Sequence, residues 1–120
     1  MNILVTGCAG FIGFHCSEKL LKKKIKIYGI DNLNNYYDDR IKKKRLKILR
    51  SFKNFKFYKL DICDEKKLNN FFLVNKINIV IHLAAQAGVR YSFINPKKYL
   101  DVNINGFFNI LECMKKNGIQ

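Results

Sequence analysis

Four short runs rich in β-branched and aromatic residues alternate along this chain with stretches long enough for a helix. That alternation constrains the fold more than any other feature. Residues 2–6 form an apolar strand that stops at Gly7. Residues 11–23 read as a helix, with Ile12, Cys16 and Leu20 on one face at spacing four. Residues 25–30 are a second strand, and a polar, aromatic loop over 32–37 leads to a helix over 38–50. Residues 55–60 are a third strand, alternating aromatic residues with lysine. Asp64 caps a short helix carrying Leu68, Phe71 and Phe72. Residues 77–83 are a fourth strand, apolar at nearly every position. Asn95-Pro96 then supplies an N-cap and a proline at the first helical position. The helix behind it carries Leu100, Ile104, Phe107, Phe108, Leu111 and Met114 at three- and four-residue steps, and Gly118 marks its end.

Strand–helix alternation implies parallel pairing through crossover connections. A strand apolar on both faces, such as 77–83, needs helices on each side of the sheet. The expected fold is therefore α/β, a doubly wound parallel sheet of strand order 3-2-1-4, with a ligand crevice between the first and fourth strands. A fifth strand is expected from Ile119-Gln120, where the chain stops. Without it the fourth strand presents an apolar open edge. Residues 1–120 are thus read as the N-terminal part of a longer domain.

The formal net charge of +14 invites a polyanion partner. Composition argues otherwise. Lys, Asn and Ile number 19, 14 and 15, against only 4 Arg, and these abundant residues share A/T-rich codons. A coding bias accounts for the charge with no nucleic-acid partner. The densest run, 40–50, holds seven basic residues in eleven and reads as a solvated helix face, with Ile41, Leu46 and Leu49 as a thin buried stripe. No apolar run reaches the roughly 18 residues of a membrane span, and the start, MNILVTG, has no secretory pattern. The expectation is a cytoplasmic protein with no membrane partner. Cys8, Cys16, Cys63 and Cys113 form no C-x-x-C pair, and His15 and His82 are not spaced with them as zinc ligands, so four buried or half-buried free thiols and no metal site are expected.

Chemistry concentrates at Gly7-Cys8-Ala9-Gly10-Phe11-Ile12-Gly13, a G-x-x-G-x-x-G run between a strand and a helix. Gly7 permits the tight turn, Gly10 leaves room for a pyrophosphate, and Gly13 lets the helix approach the sheet. The helix N-terminus offers free N–H groups and partial positive charge to phosphates. Asp31 closes the second strand eighteen residues after Gly13, where a carboxylate accepts hydrogen bonds from adenosine ribose hydroxyls and repels a 2′-phosphate. This pattern makes the chain a Rossmann-type binder of NAD rather than NADP. Asp61, with Ile62 after the third strand, suits the adenine edge and face, or caps the following helix.

VTGCAGFIG, IDNLNNYYD, KLDI, VIHLAAQAGVRYS, NP and NINGFFNILE together resemble the extended short-chain dehydrogenase/reductase family, and within it most resemble the UDP-glucuronate 4-epimerases. The resemblance implies further cofactor contacts. They are Leu83, Ala84 and Ala85 beneath the cofactor, Asn103 orienting it, Phe11 and Ile12 beside the pyrophosphate, and Asn32 beside the ribose. It implies a UDP-sugar substrate, a homodimer for the whole protein, and C4 chemistry in which hydride passes to NAD and returns to the other face of a 4-keto sugar. Arg90 and Ser92, in the loop after the fourth strand, are candidate substrate contacts, Arg90 equally a structural ion pair. His82, inside an apolar strand, is read as a satisfied core histidine.

The family's Tyr-x-x-x-Lys pair is not matched at any of the six tyrosines, so no catalytic residue is assigned to this chain. The alternatives are a UDP-glucose 4-epimerase or nucleotide-sugar 4,6-dehydratase, a non-catalytic NAD-binding sensor, and a nucleic-acid binder using 40–50.

Overall fold

A strand paired on both sides and covered on both faces must be apolar at consecutive positions. β1 (Asn2–Thr6) meets that demand with Ile3, Leu4 and Val5, none more than 4% exposed. In the computed structural model, which describes residues 1–36 and 38–119, β1 lies inside a four-stranded parallel sheet. Its neighbours are β2 (Lys26–Asp31) and β4 (Ile79–His82), and β3 (Phe55–Lys59) pairs outside β2, giving the order 3-2-1-4 expected from the sequence. Register runs Ile3 to Ile27 on one side and Ile3 to Ile79 on the other. Two residues named in the sequence reading, Tyr37 of the polar loop and Gln120 of the expected fifth strand, lie outside the described residues.

The period-two alternation of the strands divides the core. Ile3, Val5 and Ile27 face α1 (Phe11–Lys22) and α2 (Asp39–Arg50), meeting Phe14, Leu21, Leu46 and Leu49. Leu4, Tyr28 and Ile30 face the opposite way, onto Leu68, Phe71 and Phe72 of α3 (Glu65–Val74) and Ile110 and Cys113 of α6 (Phe107–Lys116). Each fully buried aliphatic side chain here contributes about 1.5–3 kcal/mol of transfer free energy. Asp64 caps α3 by accepting from the Lys67 amide, as its position predicts.

Four readings change. The buried face of α1 is Gly13, Phe14, Ser17 and Leu21, while Ile12 is 64% exposed. Small residues at 13 and 17 let the helix settle on the sheet, turning the larger Ile12 outward. On α2 the buried residues are Lys42, Leu46 and Leu49, and Ile41 is exposed. Residues 89–94, read as loop, form a short helix, α4 (Val89–Ile94). Cys63 is exposed rather than half-buried.

The last helix departs furthest. Asn95 caps it as expected, accepting from the Lys98 amide with Pro96 behind it. It then breaks into α5 (Pro96–Leu100), a π-helical segment (Asp101–Gly106) and α6. A π turn takes in an extra residue, so side chains beyond it lose the phase of a continuous α-helix. Ile110 and Cys113 reach the core, whereas Leu100, Ile104, Phe107, Phe108 and Leu111 are exposed. Of that face, Phe107 stacks on the His82 ring at 5.3 Å between centroids. Gly118, at φ +63°, ends the helix as read.

Candidate functional site

The crevice forms where β1 and β4 end side by side. Gly7 sits there at φ +65°, and a Cβ on it would meet the Ala84 amide nitrogen at 2.9 Å. A glycine is therefore required both by the turn and by the approach of the two strands. A Cβ on Gly13 would collide with the Gly7 carbonyl, which fixes how closely α1 follows the turn.

Gly10 is different. Its φ of −70° and ψ of 173° suit any residue, so the backbone does not require glycine there. It lines the crevice. Gly10 also precedes α1, whose N-terminus has no side-chain cap and no acidic residue in its first turn. The amides of Phe11, Ile12 and Gly13 thus stand without intrahelical partners at the crevice edge. The Phe11 and Ile12 side chains themselves are exposed and do not line it.

Asp31, 6% exposed, ends β2 and lines the same crevice. Its Oδ2 accepts from the Ala9 amide at 3.1 Å, tying the second strand to the glycine turn. Its Oδ1 accepts from the Leu33 amide at 2.8 Å and from Lys42 Nζ at 3.3 Å. Asp31 is therefore a turn residue and a crevice acceptor at once. Asn32 lines the crevice too, and its Nδ2 donates to Asp61 Oδ2 at 3.0 Å. Asp61 does not reach the crevice wall. Its other oxygen accepts from the Cys63 amide, and Asp64 rather than Asp61 caps α3. Burial raises the Asp61 pKa, but the hydrogen bonds from the Asn32 side chain and the Cys63 amide outweigh it and hold the carboxyl below its ordinary range. Ile62 lines the crevice beside Leu60.

The opposite wall is residues 83–87. Two side chains hold it. Thr6 Oγ1 accepts from the Leu83 and Ala84 amides, each at 2.9 Å, and lies 2.8 Å from His82 Nδ1. With both lone pairs engaged, the Thr6 hydroxyl donates to Nδ1, which leaves the His82 proton on Nε2. Burial lowers the pKa of His82, and its ring stacks on Phe107, so it is satisfied as the sequence suggests. Asn103, in the π-helical segment, bonds both backbone groups of Gln86, accepting from its amide at 2.8 Å and donating to its carbonyl at 3.0 Å. Asn103 thus acts on the crevice wall and does not itself line the crevice. Arg90 and Ser92 lie on α4, outside the crevice, and the Ser92 hydroxyl donates to Val89 of its own helix.

The sequence reading did not single out Thr6, Lys42, Arg45, Tyr36 or Gln86. Arg45 donates to the Ala9 carbonyl at 3.1 Å and lies over the Phe11 ring, bracing the glycine turn from outside. Tyr36 reaches Gly88 across the mouth and packs on Tyr91 at 5.0 Å between centroids. Gln86 is 4% exposed, and its Oε1 accepts no hydrogen bond among the described residues. A spacing-three signal, Lys42 and Arg45 on one side of α2, was present but hidden within a uniformly basic run.

These residues fit a dinucleotide. Gly10 and the bare amides of α1 suit a diphosphate, Asp31 a ribose, Leu60 and Ile62 a flat base, and the orphaned Gln86 oxygen a further donor. Among the described residues no helix is long and apolar enough to cross a membrane, and no group of His, Cys, Asp or Glu could hold a metal ion.

Comparison with known proteins agrees with this geometry. The chain is 50% identical over 117 residues to UDP-glucuronate 4-epimerase of Thermodesulfobacterium geofontis, covering 98% of this chain and 36% of that protein. It is 44% identical over 115 residues to UDP-glucuronate 4-epimerase 6 of Arabidopsis thaliana, covering 96% of this chain and 25% of that one. Among solved structures it matches UDP-glucuronic acid 4-epimerase of Bacillus cereus, in complex with UDP-glucuronic acid and NAD, at a TM-score of 0.87 and 35% identity over 96% of this chain and 36% of that one. UDP-glucose 4-epimerase of Thermus thermophilus in complex with NAD matches at 0.84 and 32%, over 100% of this chain and 35% of that one. The chain spans about a third of the length of most curated relatives it matches. A family model described as GDP-mannose 4,6 dehydratase matches residues 4–120, and the chain belongs to that family.

Proposed function

We propose that this chain is the cofactor-binding part of an NAD-dependent nucleotide-sugar 4-epimerase acting on UDP-glucuronate. Residues 1–120 form the N-terminal portion of its Rossmann domain. The observation that carries the reading is Gly10, a glycine the backbone does not need, lining the crevice directly before the uncapped N-terminus of α1. Bound here, NAD would supply reversible hydride-transfer chemistry at C4 of the sugar. The residues of this chain bind and orient. The amides of α1 beside Gly10 would hold the diphosphate, and Asp31 and Asn32 would hold the adenosine ribose. Thr6 and Asn103 fix the backbone of 83–87, the wall against which the reacting end would lie. No group here moves a substrate proton, so the catalytic acid and base would come from further chain. Arg90, exposed on α4, is the proposed partner for a sugar or phosphate anion.

The same reading makes the whole protein a cytoplasmic homodimer with no nucleic-acid partner. The test is calorimetric titration of the full-length gene product with NAD, followed by incubation with UDP-glucuronate and, separately, UDP-glucose. NAD binding and a C4-epimeric product from UDP-glucuronate are expected. Gly10→Val should abolish NAD binding while the thermal transition remains. Unchanged affinity in that variant refutes the site, and epimerisation of UDP-glucose alone refutes the substrate.

A further inference from the structure

Gln86 is a buried polar side chain on the crevice wall, and one of its atoms has nothing to do in the fold. Its backbone amide and carbonyl are both taken by Asn103. Its Nε2 donates to the Ala87 carbonyl at 3.1 Å. A carbonyl only accepts, so the nitrogen end of the side-chain amide belongs there and the other end is oxygen. That oxygen, Oε1, accepts no hydrogen bond among the described residues. A buried acceptor left bare keeps its full desolvation penalty, so folded proteins retain few of them. Ser17 Oγ is also buried and bare, but Ser17 sits on the buried face of α1 and does not line the crevice. Gln86 does line it, together with Gly10 and Asp31. Asn103 holds the backbone that carries the amide, and the Ala87 carbonyl holds its nitrogen end, so the bare oxygen is fixed in place. An acceptor that is fixed, dry and unused is suited to a ligand that brings a donor.

We propose that the Gln86 side-chain oxygen is a cofactor-binding group, accepting a hydrogen bond from a ribose hydroxyl or an amino group of the bound dinucleotide. The proposal rests on the dinucleotide reading above. A diphosphate offers acceptors alone, so the donor belongs to a sugar or a base. The test is titration of the full-length gene product with NAD, with the thermal transition recorded before nucleotide is added. Gln86→Met keeps the length of the side chain and removes both polar ends. The Ala87 carbonyl still receives the Tyr99 hydroxyl at 3.0 Å, and the bare acceptor is gone. The nucleotide-free transition should therefore hold within about 2 °C or rise. The NAD dissociation constant should nevertheless increase about fivefold or more. Gln86→Leu should behave alike and keeps the test open if Gln86→Met does not fold. An unmoved dissociation constant in a folded variant overturns the proposal. So does a larger fall in the nucleotide-free transition, or failure of both variants to fold, since either gives the amide a partner within the protein. A folded wild type that does not bind NAD overturns the dinucleotide reading itself, a result distinct from wild-type binding that the variants leave unchanged.

Discussion

The two ends of this chain are built on opposite terms. Around the glycine turn, polar groups from β1, β2, α2 and the segment after β4 are joined across the fold: Ala9 to Asp31, Asp31 to Lys42, Arg45 to Ala9, and Thr6 to Leu83 and Ala84. Along α5 and α6 the reverse holds. The helix is capped at both ends, yet Leu100, Ile104, Phe108 and Leu111 stand 45–59% exposed. The first region is specified by contacts that leave little freedom to any member. The second is specified by local helix chemistry and shows a largely exposed apolar face. A site that must hold a ligand at fixed distances belongs in the first kind of structure.

If that contrast is real, the largest effects lie in the turn. Gly13→Val places a branched side chain on the Gly7 carbonyl, where backbone rather than a movable side chain stands in the way. We expect a loss of about 3 kcal/mol or more, or failure to fold, read from urea unfolding; a loss below about 1 kcal/mol would show a turn far looser than its geometry. Next is Thr6→Val, which keeps the shape but strands two amides and the His82 Nδ1. It should cost about 2–3 kcal/mol and weaken NAD binding through the loosened wall. Thr6→Ser should restore both.

Most of the first region's framework was readable in the sequence, because each signal there is local. Apolar runs ended by Gly7 and Asp31 mark strands, the glycine spacing marks the turn, and Asp64 and Asn95 mark helix starts. Partnerships between distant residues were not readable. In the run 40–50, Lys42 shares a face with Leu46 and Leu49 at spacings of four and seven, but in so basic a run that signal is hidden, and it does not say what the lysine meets. Thr6 looked like an ordinary strand residue, and its role follows only from where β4 ends. In the second region the periodic stripe marked a helix, and most of the stripe stands exposed. The π turn that shifts its phase has no sequence signature here, and a stripe states that a face is apolar without stating what covers it.

A smaller effect probes the edge of the first region. The Asp61 carboxyl is held below its ordinary value of 3.8 by the Asn32 and Cys63 hydrogen bonds, against the opposing push of burial. A depressed folded pKa stabilises above the unfolded value and loses that contribution as pH falls through the folded one. Stability should therefore decline below about pH 4, and Asp61→Asn should flatten that part of the profile. Because Asp61 is partly solvated, the difference should not exceed about 1 kcal/mol. An identical acid profile in the variant would detach Asp61 from the clip that joins the loops after β2 and β3.

The smallest expected effect tests the second region most directly. Phe108 is 59% exposed, so Phe108→Ser in the 120-residue chain should change stability by no more than about 0.5 kcal/mol. It should raise solubility, since it removes the centre of an apolar face. A cost of about 3 kcal/mol in the 120-residue chain would mean that the chain buries this face against itself or a second copy. The same substitution in the full-length gene product separates the cases further. A large cost there beside a negligible one in the 120-residue chain would show that the helix was built for a partner supplied by the longer protein, completing by apolar burial what the nucleotide end achieves through hydrogen bonds and charge.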